Sequence, residues 1–164
     1  KSSLPKVYGG FNTSLSWKGF DLSAIFAYSI GGYIYNRDIT MILHNGSLEG
    51  RAWSTEILRR WTPDNRYTDV PALSTTSNNW NSASTRFLQN NSYMRLKNLT
   101  LSYNLPKPWV SKLALSSVQV YVQGDNLFTI HKNQGLDPEQ GITGITYYRY
   151  PAMRTISGGI NIAF

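Results

Sequence analysis

The sequence predicts an all-β chain whose five antiparallel strands form part of the wall of a membrane-spanning β-barrel. Three observations predict it. Five segments alternate apolar and polar residues with a period of two, as a strand with two different faces must. Each is about 11 residues long, more than the usual 5–6 and matched to the 9–11 that cross the hydrocarbon layer when tilted. The connections run short, very long, moderate and long, so the long ones fall at one end of the sheet, as in membrane barrels with tight turns on one side and long loops on the other.

The first strand spans about 7–17, where Phe11, Thr13, Leu15 and Trp17 alternate with Asn12, Ser14 and Ser16. Only Lys18-Gly19 separates it from the second, about 20–31, so the two read as a tight hairpin. Phe20, Leu22, Ala24, Phe26, Tyr28 and Ile30 share one face of that second strand. An outer loop of about 32–92 follows, in which Ser54 to Trp61 has the signals of a short helix: Ser54 as N-cap, Glu56 near the start, Arg59 and Arg60 at the end, and Pro63 as the stop. So long a loop belongs to a functional segment rather than to a compact core.

The third strand, about 93–105, sets Leu99, Leu101, Tyr103 and Leu105 against Asn98, Thr100, Ser102 and Asn104, while its first half, Tyr93 to Lys97, is less regular and more basic. Pro106 and Pro108 end it, and Trp109 to Leu113 has room for one helical turn. The fourth strand, about 117–128, carries Val118, Val120 and Val122 opposite Gln119, Tyr121 and Gln123, with Asp125-Asn126 near its far end. After a second outer loop, about 129–152, the fifth strand, about 153–164, alternates Ile156, Gly158, Ile160, Ile162 and Phe164 with Ser157, Gly159, Asn161 and Ala163.

Composition narrows the setting. Of 164 residues 41% are hydrophobic and only 15% charged, below the roughly 25% of ordinary soluble domains, and this mix disfavours an intrinsically disordered chain. Cysteine is absent, which excludes disulfides and thiolate metal sites. The longest apolar run, Ala24 to Tyr28, is far short of the roughly 20 residues of a spanning helix. The first residues show no basic segment followed by an apolar one, so no signal peptide is expected within them. The net charge of +7 raises the question of nucleic acid, but the aromatics lie on apolar faces and strand ends rather than beside basic residues along a groove, so no nucleic acid partner is expected.

Alternation alone also fits a soluble β-sandwich, which would bind carbohydrate through its loop aromatics. The polar faces favour the barrel: they carry Ser, Thr, Asn and Gln, groups suited to a wet lumen, where a soluble sheet would show Lys and Glu. Five strands cannot close a barrel, and open edges in lipid cost several kcal/mol per unpaired backbone group. The chain is therefore expected to be a piece, with the missing strands preceding Lys1.

Five blocks carry a family resemblance: Pro5–Phe11 (PKVYGGF), Tyr93–Pro106 (YMRLKNLTLSYNLP), Val120–Thr129 (VYVQGDNLFT), Gly135–Glu139 (GLDPE) and Tyr150–Thr155 (YPAMRT). In order and spacing they resemble the C-terminal end of SusC/RagA-type TonB-dependent outer-membrane transporters of Bacteroidetes. The resemblance implies that the chain is the C-terminal segment of a 22-stranded transmembrane β-barrel, with long extracellular loops and with the plug domain outside the chain. It implies a place in the cell outer membrane, among its lipids, and import of a glycan or peptide substrate with a SusD-like surface lipoprotein as lid. It further implies coupling to the TonB complex through the missing N-terminal part. By the same resemblance Ile160, Ile162 and Phe164 form a signal read by the barrel-assembly machinery.

No catalytic constellation or cofactor is expected. His44 and His131 stand in separate segments without acidic residues at ligand spacing, so no metal site is expected, and Asp137-Pro138 reads as a turn rather than the start of a calcium loop. The substrate-binding candidates are the loop aromatics Trp53, Trp80, Tyr147 and Tyr148, whose flat faces can stack on sugar rings or pack a peptide while their polar tips bond hydroxyls. Arg149 and Arg154 are expected to answer lipopolysaccharide phosphates or loop carboxylates.

Overall fold

The computed structural model of the chain describes residues 1–44, 46, 48, 50–74, 82–133, 135–139 and 141–164. Its strands in chain order are β1 (Val7–Trp17), β2 (Phe20–Ile30), β3 (Tyr33–Asn36), β4 (Leu88–Asn90), β5 (Tyr93–Asn104), β6 (Ser117–His131), β7 (Ile145–Thr146) and β8 (Thr155–Ala163). Two short α-helices join them, α1 (Arg37–Ile42) and α2 (Lys107–Val110). The five long strands make one sheet in the order β1-β2-β5-β6-β8, antiparallel throughout, and the three short ones make a second, β4-β3-β7.

The hairpin forms where its turn chemistry allows it. Lys18 and Gly19 both take positive φ, 46° and 86°, the geometry whose twist matches antiparallel strands, and Trp17 then pairs directly with Phe20. From that turn the register carries one apolar face across the whole sheet. Leu15 pairs with Leu22, Leu22 with Leu101, Leu101 with Val122, and Val122 with Gly158, flanked by Ile156 and Ile160. Nothing in the described chain covers this face: Leu15, Trp17, Ile156 and Ile160 are 66%, 65%, 71% and 62% exposed.

The opposite face is polar and bonded to itself. Ser16 of β1 donates to Asp21 of β2, Asn104 of β5 donates to Asp21 at 2.6 Å, Gln119 of β6 donates to Asn104 at 3.1 Å, and Asn161 of β8 donates to Gln119 at 3.1 Å. A ladder of side-chain hydrogen bonds thus crosses all five strands near the tight-turn end. Tyr121 lies on this face over Gly159, where any Cβ would sit 2.7 Å from the phenol oxygen.

Several boundaries differ from the sequence expectation. β6 runs to His131, beyond the expected end near 128, because Asp125-Asn126 makes a bulge inside the strand: Asn126 adopts φ 52° and pairing resumes at Phe128 opposite Leu96. β2 ends at Ile30, β5 at Asn104, and β8 spans Thr155–Ala163, leaving Phe164 just outside the ladder. The helix expected from Ser54 is a single 3-10 turn, Thr55–Arg59, with the Ser54 Oγ accepting from the Glu56 N–H at 3.3 Å. Trp109 to Leu113 falls in α2 and the 3-10 turn Ser111–Leu113 that continues it.

The buried apolar residues sit largely outside the long sheet. Ile34, Leu43, Ile57, Val70, Phe87 and Leu136 belong to the two outer loops, whose segments the small β4-β3-β7 sheet stitches together. Among the described residues no helix is long and apolar enough to cross a membrane.

Candidate functional site

The loop layer starts where Gly31 and Gly32, at φ 83° and 75°, swing the chain out of β2 into β3. β3 pairs with β4 on one side and β7 on the other, so both outer loops meet on it. Asn36 closes β3 and opens α1, its Oδ1 accepting from the Ile39 N–H at 3.1 Å as an N-cap. Tyr35 packs edge-on against the buried Phe87 at 6.2 Å.

An ion-pair cluster anchors the second loop to the long sheet. Lys97 is an extra residue on β5: Asn98 pairs with Ile25, yet Leu96 pairs with the adjacent Phe26. This bulge shifts the alternation by one, so Arg95 joins the polar face and pairs with Ala27 and Thr129 instead of following Leu99 and Leu101 onto the apolar face. Arg95 is 3% exposed. Its guanidinium binds Asp137, donates to Glu139 at 2.7 Å and to the Thr129 hydroxyl at 2.8 Å, while Lys97 reaches Glu139 at 2.7 Å. Asp137 also accepts the Ala152 N–H at 2.7 Å and the Glu139 N–H at 2.9 Å. Burial alone would raise the Asp137 carboxyl, but these N–H donors and Arg95 outweigh it and hold its pKa below the ordinary value. Asp137 and Glu139 are thus engaged by cations of the chain itself, and no group of metal-binding side chains occurs among the described residues.

Of the aromatics predicted to meet substrate, two come together. The rings of Tyr147 and Tyr148 lie 4.1 Å apart, tilted at 44°, and are 42% and 65% exposed. The Arg37 guanidinium stands over Tyr147 at 4.7 Å, and the Arg51 Nη1 approaches the Tyr148 hydroxyl at 3.5 Å. Tyr148 is held at φ 48°, with its N–H donating to Asp38 at 3.0 Å. The bond to Tyr148 raises the Tyr147 phenol pKa, against an opposing pull from Arg37 and Arg51. Trp53 is separate: its Nε1 donates to Nδ1 of the buried His44 at 2.9 Å, edge-on, which ties the indole into the loop core. Trp80 lies outside the described residues.

Sequence reasoning missed the two arginines, which adjoin the tyrosines only through folding. It also missed a hollow of about 450 Å³ at the outer end of the polar face, where Tyr8 and Tyr93 lie beneath Pro138 and Ile142. The alternation of β1 does place Tyr8 on the polar face, a signal that could have marked it.

No family model matches the chain. It is 37% identical over 172 residues to TonB-dependent receptor P3 of Formosa agariphila, and 27% identical over 168 residues to TonB-dependent receptor SusC of Bacteroides thetaiotaomicron. These alignments take in 98% and 100% of the chain but 16% of each relative. The structure of the RagAB peptide importer in its open-open state superposes with a TM-score of 0.89 at 36% identity, over all of this chain and 18% of that one. The chain belongs to the SusC/RagA-type TonB-dependent receptors. In this receptor family the named relatives are receptors and an importer, not enzymes. The SusC/RagA-type chain spans about a sixth of the relatives it matches, so the features described above are those of a segment.

Proposed function

We propose that the chain forms the last five strands and two outer loops of a 22-stranded outer-membrane barrel that imports glycans or oligopeptides, with a SusD-like surface lipoprotein as its lid. The observation that carries this reading is the single-layer sheet with one uncovered apolar face and one self-bonded polar face. Left in water, each large apolar side chain of that face would forgo roughly 1.5–3 kcal/mol of transfer free energy, which lipid tails supply. A carbohydrate-binding sandwich would need a second layer over those residues, and the described residues provide none. The free edges of β1 and β8 would pair with further strands, since an open edge in hydrocarbon leaves backbone groups unsatisfied.

In this reading the polar face lines the lumen, the ion-pair cluster fixes the second outer loop over it, and Tyr147 and Tyr148 face arriving substrate. TonB coupling belongs to parts of the transporter outside this chain. Ile160, Ile162 and Phe164, in phase by sequence, serve as the assembly signal, and the partner chemistry of the lid resides in the outer loops.

The test uses the intact transporter gene in its own cell. Deletion should abolish uptake of a fluorescently labelled glycan or peptide, and deletion of the neighbouring SusD-like gene should reduce it. Complementation with Tyr147→Ala/Tyr148→Ala should lower uptake at limiting substrate while the folded transporter keeps its abundance in the outer membrane. Undiminished uptake in the gene deletion refutes the transport reading, and undiminished uptake in the tyrosine variant refutes the assignment of the pair to substrate.

A further inference from the structure

We propose that the Tyr147–Tyr148 pair, with Arg37 and Arg51, is a recognition site for a carboxylate carried by the substrate. This rests on the reading of the tyrosine pair as a substrate contact. It adds the charge of what is recognised.

Four observations carry it. The two guanidiniums meet one aromatic pair, Arg37 at the Tyr147 face and Arg51 at the Tyr148 hydroxyl. Neither forms a salt bridge with a carboxylate among the described residues, whereas Arg59 and Arg95 do. Each arginine lines its own hollow, about 420 Å³ for Arg37 and about 430 Å³ for Arg51, and the two hollows share Met41. Tyr148 is held in the left-handed region, a conformation that costs a bulky side chain energy and persists only when its surroundings impose it. The Asp38 carboxylate holds that backbone through its N–H.

The chemistry follows from these placements. A guanidinium stacked on a ring keeps its edge donors free, and those donors match a planar carboxylate two at a time. The exposed phenol rings offer faces for the sugar or peptide part that carries the acid. Asp38 lines the Arg51 hollow as well, but its Oδ1 is committed to the Tyr148 backbone. It therefore positions the platform while the two arginines supply the net positive charge. Two sources present the same group: an acidic side chain or C-terminus of an oligopeptide, and a uronate of a glycan.

Binding to the intact transporter, purified in detergent, separates the possibilities. Four probes are titrated: a pentapeptide with two Glu residues and a free C-terminus, its Gln counterpart with an amidated C-terminus, trigalacturonate and trigalactose. The acidic member of one pair should bind roughly tenfold more tightly than its neutral counterpart, with the preference falling as salt is raised. Which pair shows it identifies the source. In Arg37→Gln/Arg51→Gln the preference should fall to about one, and Arg37→Lys/Arg51→Lys, which keeps charge but loses the planar fork, should retain part of it. Equal affinity for acidic and neutral probes, binding of neither acidic probe, or a preference that survives the Gln variant overturns the inference. Loss of all binding in Tyr147→Ala/Tyr148→Ala without acidic preference in the wild type sinks the carboxylate alone. Unchanged binding in that tyrosine variant sinks the substrate reading beneath it.

Discussion

Arg95 shows how one side chain can hold a loop in place. Its charge is almost wholly removed from water, so it is tolerable only because Asp137, Glu139 and the Thr129 hydroxyl surround it. Replacing Arg95 with Met should weaken the attachment of the second outer loop by roughly 3–5 kcal/mol, because buried carboxylate is left without its cation. Faster proteolytic cleavage between 132 and 154 in the purified transporter would register it. The same cluster gives a pH dependence of known sign. The Asp137 pKa in the folded protein lies below the ordinary value, so its contribution is fully present above about pH 4 and is lost as pH falls through the folded-state value. Loop protection should accordingly persist at neutral and mildly acidic pH and fail only in strong acid, and Asp137→Asn should abolish that acid-induced step.

At the level of single elements, the bulge in β5 matters most. A strand has a side-chain period of two, so one inserted residue exchanges the faces of everything beyond it. Because Lys97 is absorbed as a bulge, Arg95 faces Thr129 and the loop carboxylates; in an unbulged ladder of the same residues it would follow Leu99 and Leu101 toward lipid. Deleting Lys97 should therefore be tolerated about as well as Lys97→Ala. The deletion sets Leu96 directly beside Asn98, which restores strict alternation and keeps Arg95 on the polar face with its carboxylates. Lys97→Ala removes only one exposed contact to Glu139. The two variants are compared by the amount of heat-modifiable, folded transporter recovered from the outer membrane, and a much lower recovery of the deletion would contradict this account of the bulge.

For the whole molecule, the question is which solvent each face of the sheet meets. Leu101 and Thr100 are neighbours on the central strand, yet they point to opposite faces, Leu101 beside Leu22 and Val122, Thr100 beside Ser23 and Gln123. Leu101→Arg should cost roughly 2–4 kcal/mol if it lies near the bilayer midplane, whereas Thr100→Arg should leave unfolding in detergent and outer-membrane abundance nearly unchanged. Equal tolerance of the two would mean that the apolar face does not meet lipid. The same two-faced sheet, freed of the rest of its barrel, should fail to stay monodisperse in buffer without detergent, since contiguous apolar surface of this extent drives association.

Local periodicity carried the five long strands, their faces and the Lys18-Gly19 turn, because strand alternation and tight-turn chemistry depend on residues adjacent in the chain. The same local signals also misled: Asp125-Asn126 marks a bulge within β6 and not its end, since a turn-forming pair can be absorbed by a ladder that resumes beyond it. Folding alone decided the rest. Asp137 reaches Arg95 across 42 residues, Tyr148 reaches Arg51 across 97 and Asp38 across 110, and no pattern within one strand or loop encodes a meeting at that separation. The Tyr148 contacts arise because the β4-β3-β7 sheet draws two distant loops onto one platform, and the candidate site exists only where they meet.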